Sequence, residues 1–247
     1  MGAVRLQFLG SGDAFASGGR LQTCLRLHGP DEPLLIDCGA TALVALKQAR
    51  IHPAEIGWVA LSHLHGDHFA GLPFLILDGQ FAGRRTRLAI AGPPGTRERL
   101  EQTLDGLFPG AGGAKRGFET RFTEFEDRRP CELGPAVITP FEVCHPSGAP
   151  AYALRLEYGD KVIVYSGDTE WTESLLSAAQ GADLFVCEAY FFDTKVPYHL
   201  DYRTLAEKRG QLDCKRIVIT HMSDDMLAHL DDADIEAASD GAVIALA

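Results

Sequence analysis

One stretch, LSHLHGDHFAGLP at residues 61–73, limits what this chain can fold into more than any other feature. It places three of the nine histidines and one aspartate within six positions, at His63, His65, Asp67 and His68. In an extended H-x-H segment both imidazoles point to the same side, so they can share one cation. A turn at Gly66 lets the last two side chains reach a second cation. Neutral imidazole and carboxylate suit zinc, manganese or iron, so the pattern predicts a metal site rather than a solvated polar loop.

The segments on either side of this stretch predict where the cluster lies in the fold. Residues 58–61, WVAL, indicate a buried strand, and a helix is predicted over residues 69–81. The ligands would therefore lie on a strand-to-helix loop at the edge of a sheet. Sheet edges of this kind are where α/β proteins usually place their sites.

The rest of the chain alternates short apolar runs with helical patterns, which favours a layered α/β architecture with helices on the outer faces. Strands are predicted over residues 4–9, 22–27, 34–37, 58–61, 87–91, 137–143, 151–157, 161–165, 184–187, 216–220 and 243–246. Helices are predicted over residues 41–47, 69–81, 95–107, 170–179, 202–208 and 232–238. The length of 247 residues fits one large domain or two fused halves, and the apolar content of 46% is enough for a core; we predict a single domain over residues 1–247.

Three further candidate ligands each follow a predicted strand. His145 follows AVITPFEVC, Asp168 lies in VIVYSGDT, and His221 follows RIVIT. A polar residue at a strand end is often only a turn former or a helix cap. Three ligand types in this position, in addition to the first cluster, favour one shared metal site instead.

Together these motifs resemble those of the metallo-β-lactamase superfamily, in the order H-x-H-x-D-H, a later His, S-G-D-T and T-H-M-S. The segments FLGSGDAFASGGR, LLIDCG and IAGPPGT are also similar to its ribonuclease Z-like branch. The resemblance covers most of the chain. It implies a four-layer αββα sandwich of two similar halves, with the site at the edge of the sandwich.

The resemblance also implies a dinuclear site that uses seven side chains. One metal ion would be bound by His63, His65 and His145. The other would be bound by Asp67, His68 and His221, with Asp168 and a hydroxide bridging the two. Zinc is the expected metal and manganese the alternative. Proteins similar to the β-lactamases proper usually lack this bridging aspartate, so its presence favours hydrolysis of phosphodiesters, for which two-metal sites are suited.

A second pair of residues lies in FVCEAYFFDTKVPYHLDYRTL. This segment resembles the ribonuclease Z-like segment in which a glutamate after a strand is followed by a histidine before a helix. The resemblance implies that His199 protonates the departing oxygen and that Glu188 orients it. The alternative is that His199 merely caps the helix that follows. Asp67 would orient or deprotonate the attacking water in addition to binding metal.

Charge and chain length limit the substrate. The net charge is −11, and such a surface repels a long polyanion. Ribonuclease Z carries a long arm for transfer RNA between the positions that match His145 and Asp168. Only 22 residues separate them here, and these indicate two paired strands. We therefore predict a small or cyclic phosphate ester as substrate, with long nucleic acid and tRNA 3′ processing less favoured.

Two further functions are compatible with these residues. The bridging hydroxide would also hydrolyse a lactone or a β-lactam, and a regulatory protein would bind metal without turnover. None of the six cysteines forms a C-x-C or C-x-x-C pair, which favours reduced thiols and a cytoplasmic location. No apolar run approaches the roughly 18 residues of a membrane helix. The sequence is compatible with a homodimer. The glycine-rich residues 108–119 are either a lid over the site or a loop on the surface.

Overall fold

The computed structural model describes residues 3–246, which form fourteen strands and seven α-helices. In chain order the strands are β1 (Val4–Gly10), β2 (Cys24–His28), β3 (Leu34–Ile36), β4 (Trp58–Ala60), β5 (Leu88–Gly92), β6 (Thr120–Glu124), β7 (Cys131–Leu133), β8 (Ala136–Val143), β9 (Ala151–Tyr158), β10 (Lys161–Tyr165), β11 (Leu184–Glu188), β12 (Ile217–Thr220), β13 (Glu236–Ala237) and β14 (Val243–Leu246). The helices are α1 (Ala42–Gln48), α2 (Gly66–Phe69), α3 (Leu72–Phe81), α4 (Thr96–Leu107), α5 (Glu173–Ala179), α6 (Tyr202–Lys208) and α7 (Asp224–Ala228).

The strands form two seven-stranded sheets with the same plan. The first has the order β14-β1-β2-β3-β4-β5-β6 and the second the order β13-β12-β11-β10-β9-β8-β7. In the first sheet the pairings from β14 to β3 are antiparallel and those from β3 to β6 are parallel. In the second, the pairings from β7 to β10 are antiparallel and those from β10 to β13 are parallel. The two predicted halves are therefore similar.

Three clusters of buried apolar side chains separate four layers. One lies between the sheets and joins, for example, Phe8 and Leu25 to Leu154 and Tyr165. A second lies between the first sheet and helices α1, α3 and α4, and a third between the second sheet and helices α5, α6 and α7. The predicted αββα sandwich is thus confirmed, and every predicted strand is present within two residues of its expected ends.

Two predicted helices have different bounds. The helix predicted over residues 69–81 is instead α2 and α3, separated at Gly71. A Cβ at Gly71 would lie 2.2 Å from the carbonyl oxygen of Gly39, so the two segments approach too closely for any larger residue. Helix α5 begins at Glu173 rather than at residue 170. The start of the predicted helix is held elsewhere, because the amide of Glu170 donates to the carbonyl oxygen of Cys144 and the amide of Thr169 donates to Glu188.

One prediction was wrong and three elements were missed. Residues 232–238 form no α-helix but contain the short strand β13, in which Glu236 pairs with Val218 of β12. Strands β6 and β7 and helix α7 were not predicted. The two missed strands lie at the edges of their sheets, where TRFTE is largely open to solvent, CEL is partly so, and neither carries a strong apolar pattern.

Residues 108–119 contact their own helical layer. The amide of Gly112 donates to Asp105 in α4, and Phe118 is buried beneath the guanidinium of Arg84. The segment also leads into the amino end of β6, whereas the predicted site follows the carboxyl end of β4. These contacts favour the surface loop over the lid. Within residues 3–246 no helix is both long and apolar enough to span a bilayer.

Candidate metal centre

All seven predicted metal ligands lie at the same edge of the sandwich. His63 and His65 follow β4, and the short helix α2 directs the next two side chains inward. The other three follow β8, β10 and β12, which run in the same direction in the second sheet. Loops at the carboxyl ends of parallel strands converge, so residues far apart in sequence meet here.

Three imidazoles form a first group, which we call the three-histidine cluster: His63, His65 and His145. Their ligand atoms all lie within 4.8 Å of one another. Nε2 of His145 is 3.0 Å from Nδ1 of His65, and the ring of His63 meets each of the other two edge-on. His63 is fully buried, and His65 is half-buried.

The second group, the carboxylate cluster, consists of Asp67, His68, Asp168 and His221, also within 4.8 Å of one another. Oδ2 of Asp67 is 3.1 Å from Nε2 of both His68 and His221. Oδ1 of Asp168 is 3.3 Å from Nε2 of His68, and its Oδ2 is 3.5 Å from Nε2 of His221.

Asp168 also faces the three-histidine cluster. Its Oδ2 is 3.8 Å from Nε2 of His63 and 3.9 Å from Nε2 of His145. The carboxylate therefore lies between the two clusters and is within reach of both.

The donor atoms fit divalent cations. Nε2 of His63 and Oδ1 of Asp168 are buried without a hydrogen-bond partner among the described residues, and such buried polar atoms are costly unless something binds them. Imidazole and carboxylate are the donors that zinc and related ions prefer. A cation in each cluster would occupy these unpartnered atoms, so the residues present fit the metals that the motif predicted.

Neighbouring groups fix the orientation of several ligands. Oδ2 of Asp37 is 2.7 Å from Nδ1 of His68, and its carboxylate also accepts from the amide and hydroxyl of Ser62. Nδ1 of His145 is 2.9 Å from the carbonyl oxygen of Tyr198. With Nδ1 engaged in this way, Nε2 of each ring is left facing its cluster, as is usual for metal-binding histidines.

The two clusters differ in charge. Burial lowers the pKa of His63, His65 and His145, so these rings are neutral and ready to bind metal. Burial alone would lower the pKa of His221 too, but Asp168 and Asp67 raise it to about 9. Correspondingly, burial alone would raise the pKa of Asp168, but His221 and His68 hold it well below its usual value.

The second predicted pair lies beside the metal ligands. Glu188 ends β11 and is fully buried, and its Oε2 is 2.9 Å from Nδ1 of His199. The ring of His199 lies 4.9 Å from that of His145 and 6.2 Å from that of His221. Helix α6 is capped by Asp201, whose Oδ1 accepts from the amide of Thr204, so His199 is not its cap.

The environment of this pair suits proton transfer near neutral pH. Burial raises the pKa of Glu188 to about 7. Burial alone would lower the pKa of His199, but the hydrogen bond to Glu188 raises it above its usual value. A histidine tuned in this way can hold a proton at the pH at which it must donate one.

Comparison with known proteins places the chain in a family. Residues 4–239 match the family described as anti-Pycsar protein Apyc1. The chain belongs to this Apyc1 family. The Apyc1 of Paenibacillus sp. strain J14 is 30% identical over 234 residues, which cover 91% of each protein. A ribonuclease Z of Methanosarcina acetivorans is 26% identical over 277 residues, covering 89% of this chain and 88% of that protein.

A solved structure confirms the fold of this Apyc1-family chain. The metallo-β-lactamase fold protein YhfI of Bacillus subtilis superposes with a TM-score of 0.80 and 21% identity, and the match covers 99% of each chain. The family match and the relatives confirm the superfamily, its ribonuclease Z-like branch and the class of metal-dependent hydrolase.

The sequence did not indicate two contacts of the site histidines: the ring of Tyr190 against His199, and the carbonyl oxygen of Tyr198 near Nδ1 of His145. Tyr190 follows β11 two residues after Glu188, and its ring stacks on that of His199. In this Apyc1-family chain, Tyr190 follows the end of a strand, as the candidate ligands do, and that position could have indicated a place in the site. The contact of Tyr198 is through the backbone, which no residue type reveals.

Proposed function

We propose that the protein is a dinuclear metal-dependent phosphodiesterase that acts on a small or cyclic phosphate ester. The observation that carries the proposal is Asp168, whose carboxylate lies within reach of both clusters. Family membership supports the same class, since Apyc1 is a cyclic nucleotide phosphodiesterase. The alternative, a lactone or β-lactam hydrolase, is not favoured.

In this proposal the three-histidine cluster would hold one ion and the carboxylate cluster the other, with Asp168 shared. Zinc is the first choice because imidazole dominates the donor set, and manganese is the alternative. When bound, such a pair of ions lowers the pKa of a water molecule to near neutrality and neutralises charge on the phosphate.

The chain's own residues supply the proton transfers. The attacking water is oriented or deprotonated by Asp67, whose carboxylate is only 8% exposed and lies at the centre of the carboxylate cluster. As the bond from phosphorus to the leaving oxygen breaks, Nε2 of His199 donates its proton to that oxygen. Glu188 accepts a hydrogen bond from Nδ1 and so keeps the imidazole in the orientation that donation needs.

A small substrate is supported by the region between His145 and Asp168. Strands β9 and β10 fill it as an antiparallel hairpin, in which Tyr158 pairs with Lys161 across a tight turn. There is no room in that hairpin for a long arm. Relatives named ribonuclease Z are among the matches, so the preference for a small ester over RNA depends on this hairpin and on the net charge of −11.

The remaining predictions are carried as part of the proposal. The core between the sheets uses both β1 and β14, from opposite ends of the chain, which supports one domain over residues 1–247, of which 1–2 and 247 lie outside the described residues. All six cysteines are free thiols, which supports a cytoplasmic location. The complete ligand set argues against a regulatory protein without turnover. The homodimer stays a prediction.

The proposal is tested by assaying a 3′,5′-cyclic nucleotide, bis(p-nitrophenyl) phosphate and a lactone side by side with added zinc or manganese. Both phosphodiesters should be hydrolysed and the lactone should not. Turnover of the lactone alone would exclude the phosphodiesterase.

The role of His199 is tested by His199→Ala. Metal content should be retained, and hydrolysis of the cyclic nucleotide should fall by roughly 10²–10⁴, the contribution typical of a general acid. The control is His52→Ala, which removes an exposed histidine that caps the turn at residues 53–55, outside the site, and should leave metal content and hydrolysis unchanged. An unchanged rate in His199→Ala would remove this residue from the mechanism.

A further inference from the structure

We infer that Tyr190 is a positioning residue, which fixes the tilt of the His199 imidazole so that Nε2 points at the leaving oxygen. The inference rests on the proposed role of His199 as general acid. Its basis is a stacked contact: the two ring centroids are 4.7 Å apart and the ring planes differ by 28°.

The hydrogen bond to Glu188 cannot fix the imidazole by itself. One bond of 2.9 Å holds Nδ1 in place but lets the ring tilt about the line that joins Nδ1 to Oε2. Any such tilt moves Nε2, the atom that donates the proton. A flat ring packed against the face of the imidazole opposes that tilt. Among the described residues, the rings of Tyr190 and His221 face the imidazole, and that of Tyr190 is the nearer, at 4.7 Å against 6.2 Å.

Tyr190 is itself held firmly. Its amide donates to the carbonyl oxygen of Leu200 at 2.8 Å, and its own carbonyl oxygen accepts from the amide of Ser223 at 3.0 Å and from the hydroxyl of Ser223 at 2.6 Å. Leu200 directly follows the acid, so the first of these bonds also anchors the backbone of His199. A residue fixed at both backbone groups can act as a rigid support.

The same ring also reaches the metal ligands. It lies 5.9 Å from the ring of His221 and differs from it by 38°, and it meets Phe191 edge-on at 4.8 Å. Tyr190 therefore contacts both the acid and a member of the carboxylate cluster. This contact fixes the position of the His199 imidazole relative to the place where the phosphate would bind. Catalysis is sensitive to small errors in that position.

The chemistry of the leaving group separates this role from a general structural one. Ring opening of a cyclic nucleotide expels an alkoxide, a poor leaving group that needs a proton as the bond to phosphorus breaks. Bis(p-nitrophenyl) phosphate expels nitrophenolate, which leaves without one. Loss of the stacked face should therefore slow the first reaction and spare the second.

The test compares Tyr190→Leu, which removes the ring, with Tyr190→Phe, which keeps it, in the metal-loaded enzyme. The Leu variant should lose roughly 10–100-fold in kcat on a 3′,5′-cyclic nucleotide, with KM nearly unchanged, while its rate on bis(p-nitrophenyl) phosphate changes by less than about threefold. The Phe variant should match the native enzyme on both substrates. Tyr190→Met makes the same comparison if the Leu variant does not fold.

Phe191→Leu is the matched control, because it removes the neighbouring aromatic ring, which contacts Tyr190 edge-on and does not stack on His199. It should retain the native ratio of the two rates. Equal losses on both substrates in Tyr190→Leu, or an equal loss in Tyr190→Phe, would overturn the inference.

His199→Ala, assayed in parallel, distinguishes failure of the inference from failure of the proposed function. If His199→Ala is as fast as the native enzyme on the cyclic nucleotide, the acid itself is wrong. If His199→Ala is slow and Tyr190→Leu is not, only the positioning role is wrong. The double variant should be no slower than His199→Ala alone, because Tyr190 acts through His199.

Discussion

The three-histidine cluster and the carboxylate cluster lie side by side, but they would bind a cation by different means. The first offers neutral imidazoles, and among the described residues the carboxylate within 4 Å of them is that of Asp168, which lies 3.8 Å from His63 and 3.9 Å from His145. The second contains two carboxylates, one of them 3.1 Å from two imidazoles. Coulomb attraction therefore favours the cation in the carboxylate cluster once His221 has released its proton, and we expect that cation to be held more tightly. Adjacent sites in one pocket can thus differ in affinity through charge alone.

The largest effect should come from the residue that the clusters share. Asp168→Ala removes a ligand from both, so both ions should be lost and phosphodiester turnover should fall by well over the roughly 100-fold that the loss of an outer partner costs. Metal content and rate are measured together. Asp160→Ala, in the exposed turn between β9 and β10, is the control. If Asp168→Ala kept both ions, the clusters would not depend on a shared ligand.

A chelator titration should resolve the two clusters in the native enzyme. We expect the three-histidine cluster to empty first and the carboxylate cluster to follow at higher chelator concentration. His65→Ala should remove the first step and leave about one ion per chain, while Asp67→Ala should weaken the second. Loss of both ions in a single step, with no change in His65→Ala, would contradict the difference in affinity.

A smaller effect is expected at Asp37, which orients His68 from outside the cluster. Asp37→Asn removes the negative charge behind the imidazole, so affinity for the ion in the carboxylate cluster should fall by about 10–100-fold. The three-histidine cluster should be weakened less, because Asp37 reaches His63 indirectly, through the hydroxyl of Ser62, and His145 is held by the carbonyl oxygen of Tyr198. Isothermal titration of the metal-free protein measures both affinities. Equal weakening of the two would show that Asp37 supports the fold rather than one ligand.

The smallest effect concerns the stability of the metal-free protein, in which the clusters should respond to pH in opposite directions. The folded-state pKa of His221 is raised to about 9, so its stabilising contribution is complete below the unfolded value of about 6.5 and is lost as pH rises through about 9. The folded-state pKa of His63 is lowered by burial, so its contribution is lost as pH falls below about 6.5.

Thermal unfolding of chelator-treated protein across this range measures the effect, which should amount to a few degrees in Tm. His221→Gln should reduce the fall of Tm at alkaline pH and leave the fall of Tm at acid pH unchanged. A native protein whose Tm did not fall on the alkaline side would contradict the charge assigned to the carboxylate cluster.

The sequence predicts those parts of the fold and of the candidate site that residue type and local pattern determine. The seven candidate ligands could be singled out because histidine and aspartate at strand ends are informative residue types and because their order resembles a known motif. The fold followed for the same reason, together with the apolar runs of central strands. Strands β6, β7 and β13 were missed or mistaken because edge strands are short and partly solvated, so pairing with a neighbour rather than the local pattern decides them.

The support around the ligands could not be predicted in the same way. Tyr190 acts through a stacked ring nine residues further along the chain, and Tyr198 through its backbone carbonyl. Contacts of these kinds depend on how residues 188–202 fold back on themselves, through bonds such as that from Tyr190 to Leu200. The sequence indicates which groups do chemistry more clearly than which groups hold them in place.

The most direct test of the account is the anomalous scattering of a crystal grown with zinc, measured at the zinc absorption edge. We predict two peaks about 3.5–4 Å apart, one bound by His63, His65 and His145, the other by Asp67, His68 and His221, with Asp168 touching both. A single peak, or two peaks that do not share Asp168, would contradict the dinuclear centre on which the proposed chemistry depends.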